Sequence, residues 1–235
     1  MPLLLGIDLG TSYFKVGLFD ERGVLKGLGR VPVNKTVPAP GRCELAVEEF
    51  WSALRRGLTE ALREASASAS DIAGISYSSQ ATTFLLLDAQ DEPLTPLIMW
   101  TDSRGDPIEP SLTAFSRTEE FRRMIGFGDL AGQAAAAKWR WLQGHEPALW
   151  ARARRVMTIS DYLTFELTGE RVGDASTVAF LALYELVNER WWPDALREYG
   201  VAAPQFSRMV KKLDSPNFCR ICRARRRLRV RSFLG

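Results

Sequence analysis

Two alternating apolar runs, residues 3–9 (LLLGIDL) and 13–20 (YFKVGLFD), are separated only by Gly10-Thr11-Ser12, and this spacing narrows the possible folds more than any other feature. A turn this short joins antiparallel neighbours. A third run, GVLKGLGRVPV at residues 23–33, follows the polar turn Glu21-Arg22-Gly23, so the chain opens as a three-stranded antiparallel meander. Because a strand and not a helix follows Gly10, the glycine turn does not fit a Rossmann dinucleotide loop.

A loop at residues 34–45 leads into residues 47–65, where Phe50, Leu54, Leu58 and Leu62 recur at four-residue spacing beside Trp51. That is the pattern of an amphipathic helix packed on the sheet. After the connector SASAS come two strands, IAGISYS at 72–78 and TFLLLD at 83–88, then the turn AQDEP and a short buried strand, PLIMW, at 96–100. Three strands, a helix and further strands form the repeating unit of the actin-like, ribonuclease-H-like fold, so the class is α/β with a mixed sheet and flanking helices. Beyond Thr113 the pattern is mainly helical, with helices expected over residues 117–125, 133–142, 147–152, 160–167 and 194–199. Short strands are expected near 155–159 and 179–184, where the apolar runs are too brief for periodicity to decide. There is no internal repeat.

The 235 residues, 46% hydrophobic and 25% charged, suffice for one large domain or two small ones. No run reaches the roughly 18–20 uncharged apolar residues of a membrane span, and the apolar start has no basic n-region. The expectation is a soluble, cytoplasmic protein. Cys43, Cys219 and Cys222 form no disulfide framework, which fits a reducing compartment. The charge is uneven: residues 217–235 hold seven arginines and no acid, and without them 24 basic face 28 acidic residues.

The sharpest chemical signal is Gly6-Ile7-Asp8-Leu9-Gly10-Thr11-Ser12. A hairpin with Gly10 at its tip lets backbone N–H groups approach phosphate oxygens, and the Thr11 and Ser12 hydroxyls add donors. Asp8 could hold a magnesium ion, directly or through water. Lys15 could offer charge to a transferring phosphoryl group. Taken alone, the same residues also read as an ordinary hairpin turn.

Four blocks together resemble the FGGY carbohydrate kinases, the family of xylulose, gluconate, glycerol and related kinases. GIDLGTSYFKVGLFD looks like the family's first phosphate motif, and GISYSSQATTFLLLD with PLIMWTDSRG looks like its sugar-site segment. GQAAAAKWRWLQGHEP resembles its helical middle, and SDYLTFELTGERVGDAST the stretch before its domain hinge. The resemblance implies a two-domain kinase, both domains actin-like, that transfers phosphate from ATP with Mg²⁺ to a sugar or polyol held deep in the cleft. This chain would supply the N-terminal domain, residues 1–214.

For the sugar, the resemblance points to Gln80, Ala81 and Thr82, and to Trp100, Asp102 and Arg104 in Trp-Thr-Asp-Ser-Arg. Amide and carboxylate groups pair with hydroxyls, and an indole offers a flat face to C–H groups. Trp100 reads equally well as a core aromatic ending a strand, and Asp102 with Arg104 as a turn bearing a surface ion pair. Xylulose kinases resemble Gln-Met-His here and glycerol kinases Gln-Arg-Glu, so the small Ala81 and Thr82 leave the substrate open. Lys15 sits closer to the xylulose-kinase pattern, which favours a pentulose or related polyol. Asp161 and Asp174 read more simply as a helix cap and a turn residue than as substrate contacts, and His145 as a surface residue.

The resemblance also implies a catalytic aspartate in a Gly-Asp motif beyond the hinge, and no segment here matches it. The expectation is a half-kinase, inactive alone, whose uncovered hinge surface favours self-association. The different-class alternative is a non-catalytic protein that holds a sugar or a partner. The arginine-rich segment at residues 215–235 resembles a shifted reading frame, and disorder is expected there. Nucleic-acid binding by it is disfavoured by the acidic body and few aromatics. Cys219-x-x-Cys222 has half the spacing of a zinc site but no second pair.

Overall fold

A computed structural model describes residues 2–126, 128–185 and 187–210. The meander forms as β1 (Leu3–Leu9), β2 (Tyr13–Phe19) and β3 (Leu25–Pro32). Along β1 the buried residues are Leu3, Leu5, Ile7 and Leu9, while Leu4 is exposed and Gly6 and Asp8 are half-buried. This period of two puts Asp8 on the face away from the core. β1 and β2 pair antiparallel with Asp8 opposite Lys15, so both charges share that face.

β4 (Glu44–Leu45) leads into helix α1 (Val47–Glu64), which opens with Glu48 and Glu49 and ends with Arg63, an ordering favourable to the helix dipole. Its apolar stripe, including Phe50, Leu54 and Leu58, is buried against the meander. Burial of each such side chain stabilises the fold by roughly 1.5–3 kcal/mol. Backbones meet closely here: a Cβ on Gly29 of β3 would lie 1.9 Å from the Gly57 carbonyl oxygen of α1. β5 (Ile72–Ser79) then pairs parallel with β1, completing a four-stranded mixed sheet of order β3-β2-β1-β5.

The next strands build a second sheet rather than extending the first. β6 (Phe84–Leu87), β7 (Leu97–Ile98) and β8 (Arg155–Thr158) join β4 in the antiparallel order β4-β7-β6-β8. The second sheet lies between two cores. Leu85 and Leu87 face the core shared with β1, β2 and α1, whereas Phe84 and Leu86 face a second core with Trp139, Trp192 and Tyr199. Burial on both faces explains why Phe-Leu-Leu-Leu shows no polar alternation.

Around the second core stand α2 (Pro110–Ser116), α3 (Glu119–Ile125), α4 (Ala135–His145), α5 (Pro147–Arg152), α7 (Ala175–Ala179) and α8 (Pro193–Tyr199), while α6 (Ile159–Thr168) packs on the first core. Its contribution there includes Ile159, Tyr162, Leu163 and Leu167. β9 (Val172–Asp174) pairs parallel with β12 (Arg208–Val210), and β10 (Tyr184–Glu185) pairs antiparallel with β11 (Arg190–Trp191).

Three expectations shift. The helix expected over 117–125 forms as α3 but begins two residues later, where the Thr118 hydroxyl caps it by accepting from Phe121 N–H, and α2 before it is not among the expected helices. The strand expected at 179–184 is instead the end of α7, a turn with Ala182 at φ 57° and the short β10. The strand in PLIMW is only Leu97–Ile98, because the chain turns at Met99 where the Asp102 N–H reaches back to its carbonyl. The segment expected to be disordered, 215–235, and Cys219 and Cys222 lie outside the described residues. No helix among the described residues is long and apolar enough to cross a membrane.

Candidate functional site

Three chain segments distant in sequence meet at the tip of the β1–β2 hairpin. The Thr11 hydroxyl donates to Gln80 Oε1 at 3.1 Å and accepts from the Trp100 indole N–H at 2.7 Å, using both capacities of one hydroxyl. Gln80 is carried there by β5, whose ladder continues as Gln80 N–H donates to Leu9 C=O at 3.0 Å. Trp100 follows β7, with its N–H donating to the Thr83 hydroxyl at 2.9 Å. The residue is 38% exposed. The indole therefore neither lies in the core nor floats free.

Beside this triad the hairpin presents Asp8 and Lys15, joined at 2.9 Å with side chains 43% and 49% exposed. An ion pair this exposed is worth about 0–1 kcal/mol and is easily rearranged. Ser78 adds a hydroxyl 3.5 Å from Asp8. At Gly10 a Cβ would lie 2.6 Å from the Tyr13 carbonyl oxygen, so a side chain there would force the hairpin open. Ser12 is exposed.

The Gln80 amide nitrogen is buried and, among the described residues, has no hydrogen-bond partner. An unmet buried donor costs about 1–3 kcal/mol. Next to it Ala81 and Thr82 are half-buried, and Thr82 sits at φ 57°, a left-handed conformation unusual for a β-branched residue and of a kind that recurs at ligand-binding turns.

Asp102 and Arg104 are brought close to Trp100 but lie beneath the surface, so their ion pair is a buried one. Asp102 is fully buried and bonds the Arg104 guanidinium at 2.9 Å through each oxygen, while the Cys43 N–H donates to it at 2.6 Å. Arg104 also reaches Glu44 of β4 at 2.6 Å. Against the desolvation of burial, the guanidinium and the Cys43 N–H hold the Asp102 carboxyl below its ordinary range.

Asp161 and Asp174 sit apart from this cluster. The cap of α6 is Thr158, whose hydroxyl accepts from the Asp161 N–H at 3.2 Å. Burial pushes the Asp161 carboxyl up to about 7, against the opposing pull of the Ser207 and Thr158 hydroxyls. Asp174 caps α7, accepting from Thr177 N–H at 3.0 Å. Desolvation is opposed and outweighed by hydrogen bonds from Ser176 and Thr177, which hold the Asp174 carboxyl low. His145 is exposed and stacks on Trp141 at 4.5 Å.

One participant escaped sequence reasoning. Lys138 of α4 is completely buried and donates to the Met99 and Trp100 carbonyls at 2.7 and 3.2 Å. The only hint in the sequence is a lone cation in the apolar run AAAAKW.

Residues 3–220 match the family described as FGGY family of carbohydrate kinases, N-terminal domain. The chain is 29% identical over 220 residues to the xylulose kinase of Lactococcus lactis subsp. lactis (strain IL1403), covering 93% of this chain and 43% of that protein. It is 31% identical over 198 residues to the L-xylulose/3-keto-L-gulonate kinase of Escherichia coli (strain K12), covering 84% and 40% respectively. Among solved structures, a xyloylose kinase from Brucella ovis superposes with TM-score 0.78 and 32% identity over 89% of this chain and 42% of that one. The fold is thus the actin-like one of these kinases, and the chain spans less than half the length of the relatives it matches.

Proposed function

The chain belongs to the FGGY family of carbohydrate kinases, and on that premise we propose that it forms the sugar-facing side of a cleft in which the γ-phosphoryl group of ATP passes to a sugar or polyol hydroxyl. The observation that carries this reading is the buried Gln80 Nε2, without a partner among the described residues, beside the Thr11 hydroxyl and the exposed Trp100 indole. A polyol supplies what is missing: a hydroxyl oxygen to accept the amide N–H and a C–H face to lie on the indole. Small Ala81 and Thr82 leave room beside Gln80; relatives are named for xylulose, 3-keto-L-gulonate and glycerol, and Lys15 tilts the reading toward a pentulose or related polyol. Asp102 and Arg104 support the sugar side from beneath Trp100.

Asp8, Gly10, Thr11, Ser12 and Lys15 face the phosphates in this reading. Asp8 is the residue that would hold a magnesium ion, which would supply positive charge against that of the phosphates. Among the described residues no group of three or more His, Cys, Asp or Glu could hold a metal, so in this reading the half-buried Asp8 carboxylate alone would contribute to one. Lys15 leaves Asp8 at little cost and turns its ammonium to the transferring group. Gly10 admits the phosphates close to the backbone. A reaction that draws on ATP fits the cytoplasmic setting expected from the sequence.

The 235 residues by themselves bind without turnover in this reading, since positioning and charge stabilisation of the γ-phosphoryl group need both walls of a cleft. The test is coupled ADP release by the purified chain with ATP, Mg²⁺ and D-xylulose, D-gluconate or glycerol, beside a Lys15→Ala variant. No release, with a sugar raising the melting temperature of the chain and losing that effect in Gln80→Ala, is the expected result. Turnover abolished by Lys15→Ala would show that this chain completes a cleft on its own or with a second copy. Failure of every sugar to shift the melting temperature would remove the sugar-binding assignment.

A further inference from the structure

Lys138 presents a problem of physical chemistry. The residue is 0% exposed, and desolvating an ammonium costs several kcal/mol unless the partners are good. Among the described residues the side chain has no salt bridge: its partners are the carbonyls of Met99 and Trp100. Asp102 attracts it, while Arg104, itself paired with Asp102 and with the Glu44 carboxylate, repels it, and Cys43 is a further titratable neighbour. An apolar side chain of the same length would fill this space without the penalty. The ammonium must therefore be judged by what it holds.

It holds Trp100. α4 begins with Ala135, Ala136 and Ala137, and Gly105 abuts Ala137 so closely that a Cβ on it would lie 2.7 Å from the Ala137 Cβ. These small residues let the bend after β7 lie directly on the helix, within reach of Lys138. Trp100 is then fixed at three points: its carbonyl by Lys138, its N–H by Thr83 and its indole N–H by Thr11, which in turn holds Gln80. Met99, the other carbonyl bound by Lys138, also receives the Asp102 N–H that forms the bend.

We propose that Lys138 is a positioning residue that sets the angle of Trp100, and through Thr11 the place of Gln80, for the polyol. This rests on the sugar-site reading above, so its first test does not require a sugar. The emission of Trp100, taken as the difference between the wild type and Trp100→Phe, is compared with the same difference in a Lys138→Met background. A red shift and increased acrylamide quenching of that component are expected, while circular dichroism shows the fold retained. An unchanged Trp100 component would overturn the proposal.

The wild type provides a second test that survives failure of Lys138→Met to fold. Burial lowers the Lys138 ammonium to about 8. Raising the pH from about 7 to 9.5 should move the Trp100 component as the charge is lost, in a Cys43→Ser background that removes the nearby thiol; a flat profile would count against it. The stability effect has the opposite sign. The unfolded chain binds the Lys138 proton more tightly than the folded one, so the wild type gains stability relative to Lys138→Met as pH rises above about 8. A purely structural lysine would show the stability change alone. Where D-xylulose binds the wild type, its Kd should weaken about tenfold in Lys138→Met; where it binds neither protein, the sugar assignment fails and the Trp100 emission still decides the role of Lys138.

Discussion

At the bend after β7, the Asp102 carboxylate accepts four hydrogen bonds: the Cys43 N–H, the Arg104 N–H and two from the Arg104 guanidinium. Replacing such a pair with apolar groups can be nearly neutral, but removing one partner leaves the other charge buried and uncompensated. Asp102→Ala should therefore destabilise the chain by about 3–5 kcal/mol, measured by urea denaturation. The exposed pair Arg117–Asp129, with side chains 64% and 47% exposed, is the contrast. Asp129→Ala should change the stability by no more than about 1 kcal/mol. Equal effects would mean that the buried cluster does not hold the bend. Little of this was visible in the sequence. Trp-Thr-Asp-Ser-Arg could be read as a motif, but its burial depends on β4, some sixty positions earlier, closing over it through Glu44 and Cys43. In the same way Thr11 lies 69 positions from Gln80 and 89 from Trp100 along its two hydrogen bonds; only the family resemblance, and no local pattern, could group them. Lys138 belonged to neither kind of signal, because a single lysine in an alanine-rich helix reads as a solvated one.

Among the elements, legibility followed period. β1, β2 and α1 could be read to within a residue or two because one face of each is buried and the other is not, so alternation or four-residue spacing survives in the letters. β6, buried on both faces, shows only as an apolar run, and nothing in it revealed that it belongs to a second sheet. The contact between α1 and the meander makes a sharp prediction. At Gly29 a Cβ would meet the backbone of Gly57 at 1.9 Å, an obstacle that no side-chain rotation relieves. Gly29→Ala should push α1 off the sheet and destabilise the fold by about 1–3 kcal/mol or more. Gly144 is exposed near the end of α4, and a Cβ added there would meet no atom within 4 Å. Gly144→Ala should instead stabilise by about 0.5–1 kcal/mol through helix propensity. Thermal denaturation of the two variants should give shifts of opposite sign; shifts of the same sign would rule out the close approach as the cause.

Over the whole molecule the first sheet has unlike faces. One is covered by α1 and α6; the other carries Leu4 at 50%, Leu25 at 47% and Leu28 at 41% exposure. These are neighbours. Leu4 pairs with Phe19, Phe19 with Leu25 and Gly17 with Leu28, and the Phe19 ring lies where Cβ atoms on Gly6 and Gly17 would stand, at 3.2 and 2.8 Å. The result is a continuous apolar strip on a surface that ends in Asp8 and Lys15. Contiguous exposed apolar surface favours association, so this face offers a second surface, beside the hinge surface expected from the sequence, through which copies could meet. The charged side chains of Lys26 and Arg30 along edge strand β3 oppose strand-to-strand addition, so copies should meet face to face. Size-exclusion chromatography with light scattering should then show a mass that rises with concentration, and the double variant Leu4→Ser/Leu28→Ser should remain monomeric with its circular dichroism unchanged. Because Asp8 and Lys15 stand on the same face, association through it covers them, and MgATP should shift the wild type toward monomer. A wild type that stays monomeric at every concentration would mean that the strip is too small to hold two copies together.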